Sequence, residues 1–106
     1  VIALNLSRTG RITRAVDETV FEHNFESDGF KKEILFILLE NNNYVPTNEI
    51  KQRTGSKSIE SVSKTIAAIN TVLKAKLQLP IKEKVIESKR ASGYRLNPLY
   101  NIVIAN

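Results

Sequence analysis

The chain has 106 residues, the size of one domain at roughly 100–200 residues per core, and its 42% hydrophobic and 25% charged content is that of a globular protein, not a disordered one. Cysteine is absent, which excludes disulfides, thiolate nucleophiles and cysteine-bound zinc, and the longest apolar run, Ile34 to Leu39, is far short of the roughly 18–20 residues that cross a bilayer. The net charge of +5 is unevenly placed: residues 1–50 hold 5 Lys/Arg against 8 Asp/Glu, and residues 51–106 hold 11 against 3, so a basic half adjoins an acidic one.

In chain order, Val1 to Ser7 alternates with Ile2, Leu4 and Leu6 on one side, the pattern of a half-buried strand. Thr9-Gly10 marks a tight turn, Arg11 to Val16 returns, and Thr19 to Phe25 alternates again with Phe21, His23 and Phe25 together, so residues 1–26 predict a small antiparallel sheet. Ser27-Asp28-Gly29 offers an N-cap, with Asp28 placed for the positive end of the dipole, and Phe30, Ile34, Ile37 and Leu38 recur at helical spacing to about Glu40. Asn41 to Asn43 and Pro46 break that helix, and Thr47 is expected to cap a second, short helix running through Arg53 with Ile50 inward.

Thr54-Gly55 is a turn, after which Ser56 or Ser58 caps a third helix ending near Lys76. Its apolar residues Ile59, Val62, Ile66, Ile69 and Leu73 are spaced 3, 4, 3 and 4 apart, a single stripe. Beyond Pro80, Ile81 to Ser88 and Tyr94 to Leu96 predict a hairpin over 81–96 with Lys89-Arg90-Ala91-Ser92-Gly93 at its tip. The tail, residues 97–106, contains a further apolar stretch from Leu99 to Ala105, a candidate edge partner for Val1 to Leu6 and a candidate homodimer surface. The expected fold is α+β in one domain: a small N-terminal antiparallel sheet, three helices over 27–77, and a C-terminal hairpin.

A short helix joined by a Gly-containing turn to an amphipathic helix is the sequence shape of a helix-turn-helix, whose second helix fits the roughly 12 Å width of the DNA major groove. Opposite the apolar stripe stand Lys64, Ser61, Ala68 and Thr71, with Glu60 and Ala67 beside them. Lysine can reach a base edge or phosphate, hydroxyls donate or accept, and alanine can meet a thymine methyl. The same face also suits plain solvation. Lys89 and Arg90 at a Gly-containing tip suit phosphate or a narrow minor groove, though an exposed charged turn is also only soluble.

The run Ile86-Glu87-Ser88-Lys89-Arg90-Ala91-Ser92-Gly93-Tyr94-Arg95-Leu96 resembles the wing of OmpR/PhoB-type transcriptional regulators, commonly I-x-T-V-R-G-x-G-Y-R-L. Upstream, Leu38-Leu39 through Val45-Pro46-Thr47-Asn48-Glu49-Ile50 is similar to that family's L-L…V-x-S-x-x-x-L entry into its second helix, and the N-terminal sheet also matches. The resemblance implies a winged helix-turn-helix, the effector domain of a transcriptional regulator binding double-stranded DNA. It places the recognition helix on Glu60 to Leu73 with Ser61, Lys64, Thr65, Ala67, Ala68 and Thr71 outward, and the wing arginine on Arg90. The DNA-binding set expected from residues and resemblance together is Lys57, Ser58, Ser61, Lys64, Thr65, Ala68, Thr71, Lys89, Arg90, Ser92 and Arg95. The chain departs from the family where Ala67 and Ala68 replace arginines, where Ala91 replaces the first wing glycine, and in its short link between the second and third helices.

Glycine at position 93 and alternating Tyr94 and Leu96 also fit a purely structural role. Enzyme chemistry is not expected. His23 is the one histidine and reads as a packed strand residue, and no P-loop, dinucleotide fingerprint, metal set or cofactor motif is present. The acidic cluster Asp17, Glu22, Glu26 and Asp28 keeps the far face off DNA or meets another protein. No receiver domain is visible, so an input signal is expected from a further receiver or sensor domain or a partner. No leader-like segment opens the chain, no membrane partner is expected, and the cytoplasm is the expected location. The alternatives are a winged-helix protein-interaction module and a replication or recombination initiator domain.

Overall fold

In the computed structural model, which describes residues 1–105, the N-terminal segments form β1 (Ile2–Ser7), β2 (Arg11–Val16) and β3 (Thr19–Asn24). Leu4, Leu6 and Ile12 turn fully inward while Asn5 stays exposed, as a pleat with one buried face requires. Antiparallel pairing sets Leu6 opposite Ile12 and Ile12 opposite His23. His23 lies edge-on to Phe25 at 4.5 Å between ring centroids, so it packs as an aromatic residue at the sheet's end.

Asp28 caps α1 (Gly29–Leu39): its carboxylate accepts from the Lys31 backbone N–H at 3.3 Å and pairs with Lys31 Nζ at 2.9 Å. The side-chain bond from Lys31 holds the Asp28 carboxyl below its ordinary value of 3.8. Ile34, Leu35, Ile37 and Leu38 are buried; the expected stripe omitted Leu35 and included Phe30, which is only half-buried.

In α2 (Thr47–Thr54) the cap differs from expectation. Pro46 is the N-cap and Thr47 the first helical residue, with no side-chain cap bond; the Pro46 carbonyl instead accepts from the N–H groups of Glu49 and Ile50 at 3.0 and 3.2 Å. Ile50 is fully buried, and Gly55 ends the helix at φ 71, the left-handed region glycine enters without cost.

Ser58 caps α3 (Ile59–Lys76), its Oγ accepting from the Ser61 N–H at 3.0 Å. Val62, Ile66, Ile69 and Leu73 are buried, but Ile59, expected in the same stripe, is 44% exposed because the first turn projects past the core. At the other end Arg14 donates to the Leu77 and Gln78 carbonyls at 3.1 and 2.8 Å, bringing a cation to the negative end of the helix and tying β2 to it.

The hairpin strands are β4 (Ile86–Lys89) and β5 (Gly93–Leu96), and β6 (Tyr100–Ala105) follows. The first hairpin strand is half its expected length, since residues 81–85 are irregular: side chains claim their carbonyls before any strand can. Lys74 Nζ donates to the Leu79 and Ile81 carbonyls, Tyr100 Oη to Glu83 and Asn97 Nδ2 to Lys84. The tail does pair with β1, in parallel, with Leu4 opposite Ile102. The sheet order is therefore β3-β2-β1-β6, and the expected antiparallel sheet becomes a mixed one of four strands. Asn106, the last residue of the expected tail, lies outside the described residues. One hydrophobic cluster joins sheet, helices and hairpin, from Leu4 and Phe25 through Ile34 and Ile50 to Ile69 and Ile86.

Burial first, and the charges of Lys76 and Lys31 after it, depress the pKa of His23 below 6.5, against a smaller opposing effect of Asp28. The native state thus binds the imidazole proton less readily than the unfolded chain, so stability is full above pH 6.5 and declines as pH falls from 6.5 toward the native pKa. Proton NMR titration of the His23 ring should give a midpoint under 6.5, and His23→Gln should flatten the urea-measured stability between pH 7 and 5.5. A midpoint above 6.5 contradicts the assignment.

Candidate functional site

The pleat gives the β4–β5 hairpin two unlike faces. Ser88 opposite Tyr94 turns toward α3, and Glu87 opposite Arg95 turns away from it. Three attachments hold this hairpin against the helices. Asn70 on α3 grips Ile86 twice, donating to its carbonyl at 2.9 Å and accepting from its N–H at 2.8 Å. The Ser63 and Tyr94 hydroxyls meet at 2.9 Å. Val45, in the turn before α2, pairs with Tyr94 through N–H to carbonyl bonds of 2.7 and 3.0 Å, a third strand of one residue.

That last pairing is available only to glycine at position 93. Its φ is +112, and a Cβ there would lie 1.9 Å from the Val45 carbonyl oxygen, well inside contact distance. The glycine in the motif therefore serves backbone approach, and Tyr94 serves attachment to α3.

On α3 the side facing away from the core carries Glu60, Lys64, Ala68 and Thr71, all exposed. Ala67 is exposed as well and borders a cleft of about 140 Å³ shared with Ser63, Asn70 and Ser88, between helix and hairpin. Lys57 is exposed immediately before the helix. Ser61 and Thr65 are half-buried on the flank, and the Thr65 hydroxyl donates to the Ser61 carbonyl at 2.8 Å, so it is spent within the helix. Ser58 is committed to its cap. The Ser58 and Thr65 side chains are thus engaged by the helix itself, whereas Ser61 contributes only backbone groups to these bonds.

At the hairpin tip the Ser92 N–H closes a turn on the Lys89 carbonyl at 3.0 Å, leaving Arg90 exposed at its crest. Ala91 stands at φ 66, the left-handed region that costs a residue bearing a Cβ, so the turn at the tip carries strain. The Lys89 ammonium lies 5.8 Å from the Tyr44 ring centre, while the residue also borders the groove that Arg90 lines. Arg95 stacks on the same ring at 4.6 Å and pairs with Glu87 at 3.1 Å, while Tyr44 Oη donates to Glu87 at 3.0 Å. Desolvation first, then the bond to Glu87, raises the Tyr44 pKa.

The expected set therefore divides. Lys57, Lys64, Ala68, Thr71 and Arg90 belong to the α3 side and the tip; Arg95 belongs to the hairpin's other face, built on Tyr44; Lys89 and Ser92 line the groove on either side of the tip. That groove, about 520 Å³, runs between the tip and the start of α2 and is lined by Pro46, Thr47, Asn48, Ile59, Arg90 and Tyr94 among others. Sequence reasoning missed Asn70 and Tyr44. A polar residue beside the buried Ile69, and an aromatic in an Asn-rich turn, were the available signals.

Among the described residues, no helix is long and apolar enough to cross a membrane, and no three His, Cys, Asp or Glu side chains gather as a metal site. No family model, curated protein or solved structure matches the chain. The OmpR/PhoB resemblance rests on Ile86 to Leu96 and the residues before α2.

Gly93→Ala should cost about 3 kcal/mol or more, combining the strained φ with two lost backbone bonds. Amide exchange at Val45 and Tyr94 should accelerate far more than at Leu73, because the hairpin detaches before the core opens. Unchanged urea stability, or equal acceleration throughout, would contradict this.

Proposed function

We propose that the chain is a winged helix-turn-helix domain that binds double-stranded DNA with sequence preference, as the effector domain of a transcriptional regulator. The observation that carries this reading is the placement of uncompensated cations. Arg11, Lys31, Arg53 and Arg95 are each neutralised by a carboxylate within 4.0 Å. Lys57, Lys64 and Arg90 have no such partner among the described residues, a condition they share with Lys32, Lys51, Lys76, Lys82, Lys84 and Lys89, and these three stand around one helix and the hairpin beside it. Unpaired cations beside a helix that fits the major groove favour a polyanion of duplex dimensions.

On this reading α2, Gly55 and α3 form the helix-turn-helix and β4–β5 the wing. Ala68 and Thr71 face base edges, Lys64 and Lys57 meet phosphates at the groove's edge, and Arg90 follows the backbone of the minor groove. Arg95 supports the wing through Glu87 and Tyr44 more than it reaches DNA.

A protein-interaction module is the second reading, favoured by Ile59, 44% exposed in the groove beside the tip. Salt separates the two. Phosphate contacts lower log K against log salt by about 0.9 each, so Lys57, Lys64 and Arg90 together predict a slope of at least about −2.7, whereas an apolar interface is nearly flat. A Lys64→Ala/Arg90→Ala variant should bind random-sequence duplex with a slope shallower by about 1.8. Selection from random duplexes should return a motif with wild type. No motif, together with undiminished binding by the double variant, would sink the DNA reading.

A further inference from the structure

Residues 79–86 have little regular structure yet are tightly held. The Leu79 and Ile81 carbonyls accept from Lys74 Nζ, Glu83 from Tyr100 Oη, Lys84 from Asn97 Nδ2, Val85 from the Asn97 N–H and Ile86 from Asn70. Each of these carbonyl dipoles thus points at a protein donor, not at solvent. The segment presents Lys82, Glu83 and Lys84 outward, all exposed, and neither lysine is ion-paired among the described residues. Glu83 is the one acidic residue of the stretch, and its charge bears on Tyr100, whose pKa is raised by burial first and by Glu83 second.

Lys82 and Lys84 share a groove of about 490 Å³ with Glu83 between them and with Thr71, Lys74 and Ala75 of α3, where the two free lysines outnumber the one acid. They therefore border the far end of the outward face that begins with Lys57 and Lys64. An 18-residue helix is about 27 Å long, more than twice the roughly 12 Å width of the major groove. If the N-terminal turns of α3 and the hairpin tip engage the groove, its C-terminal turns must pass over a flanking phosphate backbone.

We infer that Lys82 and Lys84, displayed by the side-chain-tethered segment 79–86 at the C-terminal end of α3, form a second phosphate-binding site that grips the backbone on the side of the groove opposite Lys57 and Arg90. The inference rests on the DNA reading above and deepens it. The sequence offers no ordinary signal for this site, because residues 81–85 read as a strand with alternating exposure. Their fixed, irregular path is what brings both lysines beside Thr71. A pair of anchors at the two ends of α3 sets the angle at which the helix crosses the duplex, which a single anchor at the hairpin cannot.

The test uses a fluorescein-labelled 30-base-pair duplex of mixed sequence, titrated from 50 to 200 mM salt with wild type and three double variants. Lys82→Ala/Lys84→Ala should make the slope shallower by about 1.8, two phosphates at about 0.9 each. Lys32→Ala/Lys76→Ala removes the same charge away from this surface and should shift the slope by less than about 0.5 on that scale. Hydroxyl-radical footprints should lose protection on one flank only with the Lys82/Lys84 variant. A slope shift equal in the two variants, or none in either, overturns the inference. If Lys64→Ala/Arg90→Ala also leaves binding intact, the DNA reading falls with it; if only that variant weakens binding, the reading stands and the second site does not. An effect of Lys82→Ala/Lys84→Ala confined to binding of an acidic peptide, with DNA binding unchanged, also overturns it.

Discussion

The contact on which the presentation of the site depends is the approach of the Val45 carbonyl to Gly93. A Cβ at position 93 would overlap that oxygen, so the one-residue strand at Val45 can join β5 only across a glycine. This pairing joins the hairpin to the turn between α1 and α2, and Asn70 joins it to α3. A two-stranded hairpin is marginal alone in water. Attached on both sides, it becomes a fixed extension of the helices, and the position of Arg90 relative to Lys64 is set by backbone bonds in place of loop chance.

Electrostatic organisation follows from the same frame. Glu87 on β4 neutralises Arg95 and receives the Tyr44 hydroxyl, so the outer face of the hairpin is largely compensated within itself. Glu40 and Glu49 do the same for Arg53 on α2. Of the cations left over, Lys57, Lys64 and Arg90 lie before α3, along it and at the hairpin tip, while Lys32 and Lys51 stand on α1 and α2 and Lys82 and Lys84 beyond α3. Pairing thus subtracts only part of the charge imbalance between the two halves of the chain.

Much of the architecture was legible because burial has a period. Alternation marked β1 and β3, the Thr9-Gly10 turn marked the return of β2, and the 3-4 spacing marked α3 through Val62, Ile66, Ile69 and Leu73. The failures arose where side chains intervene in backbone bonding. Residues 81–85 alternate like a strand, but Lys74, Asn97 and Tyr100 take their carbonyls; Thr47 resembles a cap, but Pro46 supplies the carbonyl that starts α2. Of the site, the cations and the outward face of α3 were readable from sequence. The separation of Arg90 from Arg95 was not, since it depends on Tyr44, which stacks with Arg95 only in three dimensions.

The composition of the α3 face bears on what kind of discrimination the proposed domain can achieve. A bidentate arginine on guanine is worth about 1–3 kcal/mol against the wrong base, and Ala67 and Ala68 stand where the related pattern has arginines. What remains, the methyl groups of Ala68 and Thr71, matches thymine methyls better than a guanine edge. The small alanines also let the helix backbone approach the groove floor more closely than long side chains would. On the proposed reading, affinity from the ends of the helix combined with modest readout in its middle would leave the shape and deformability of the duplex to supply the remaining discrimination.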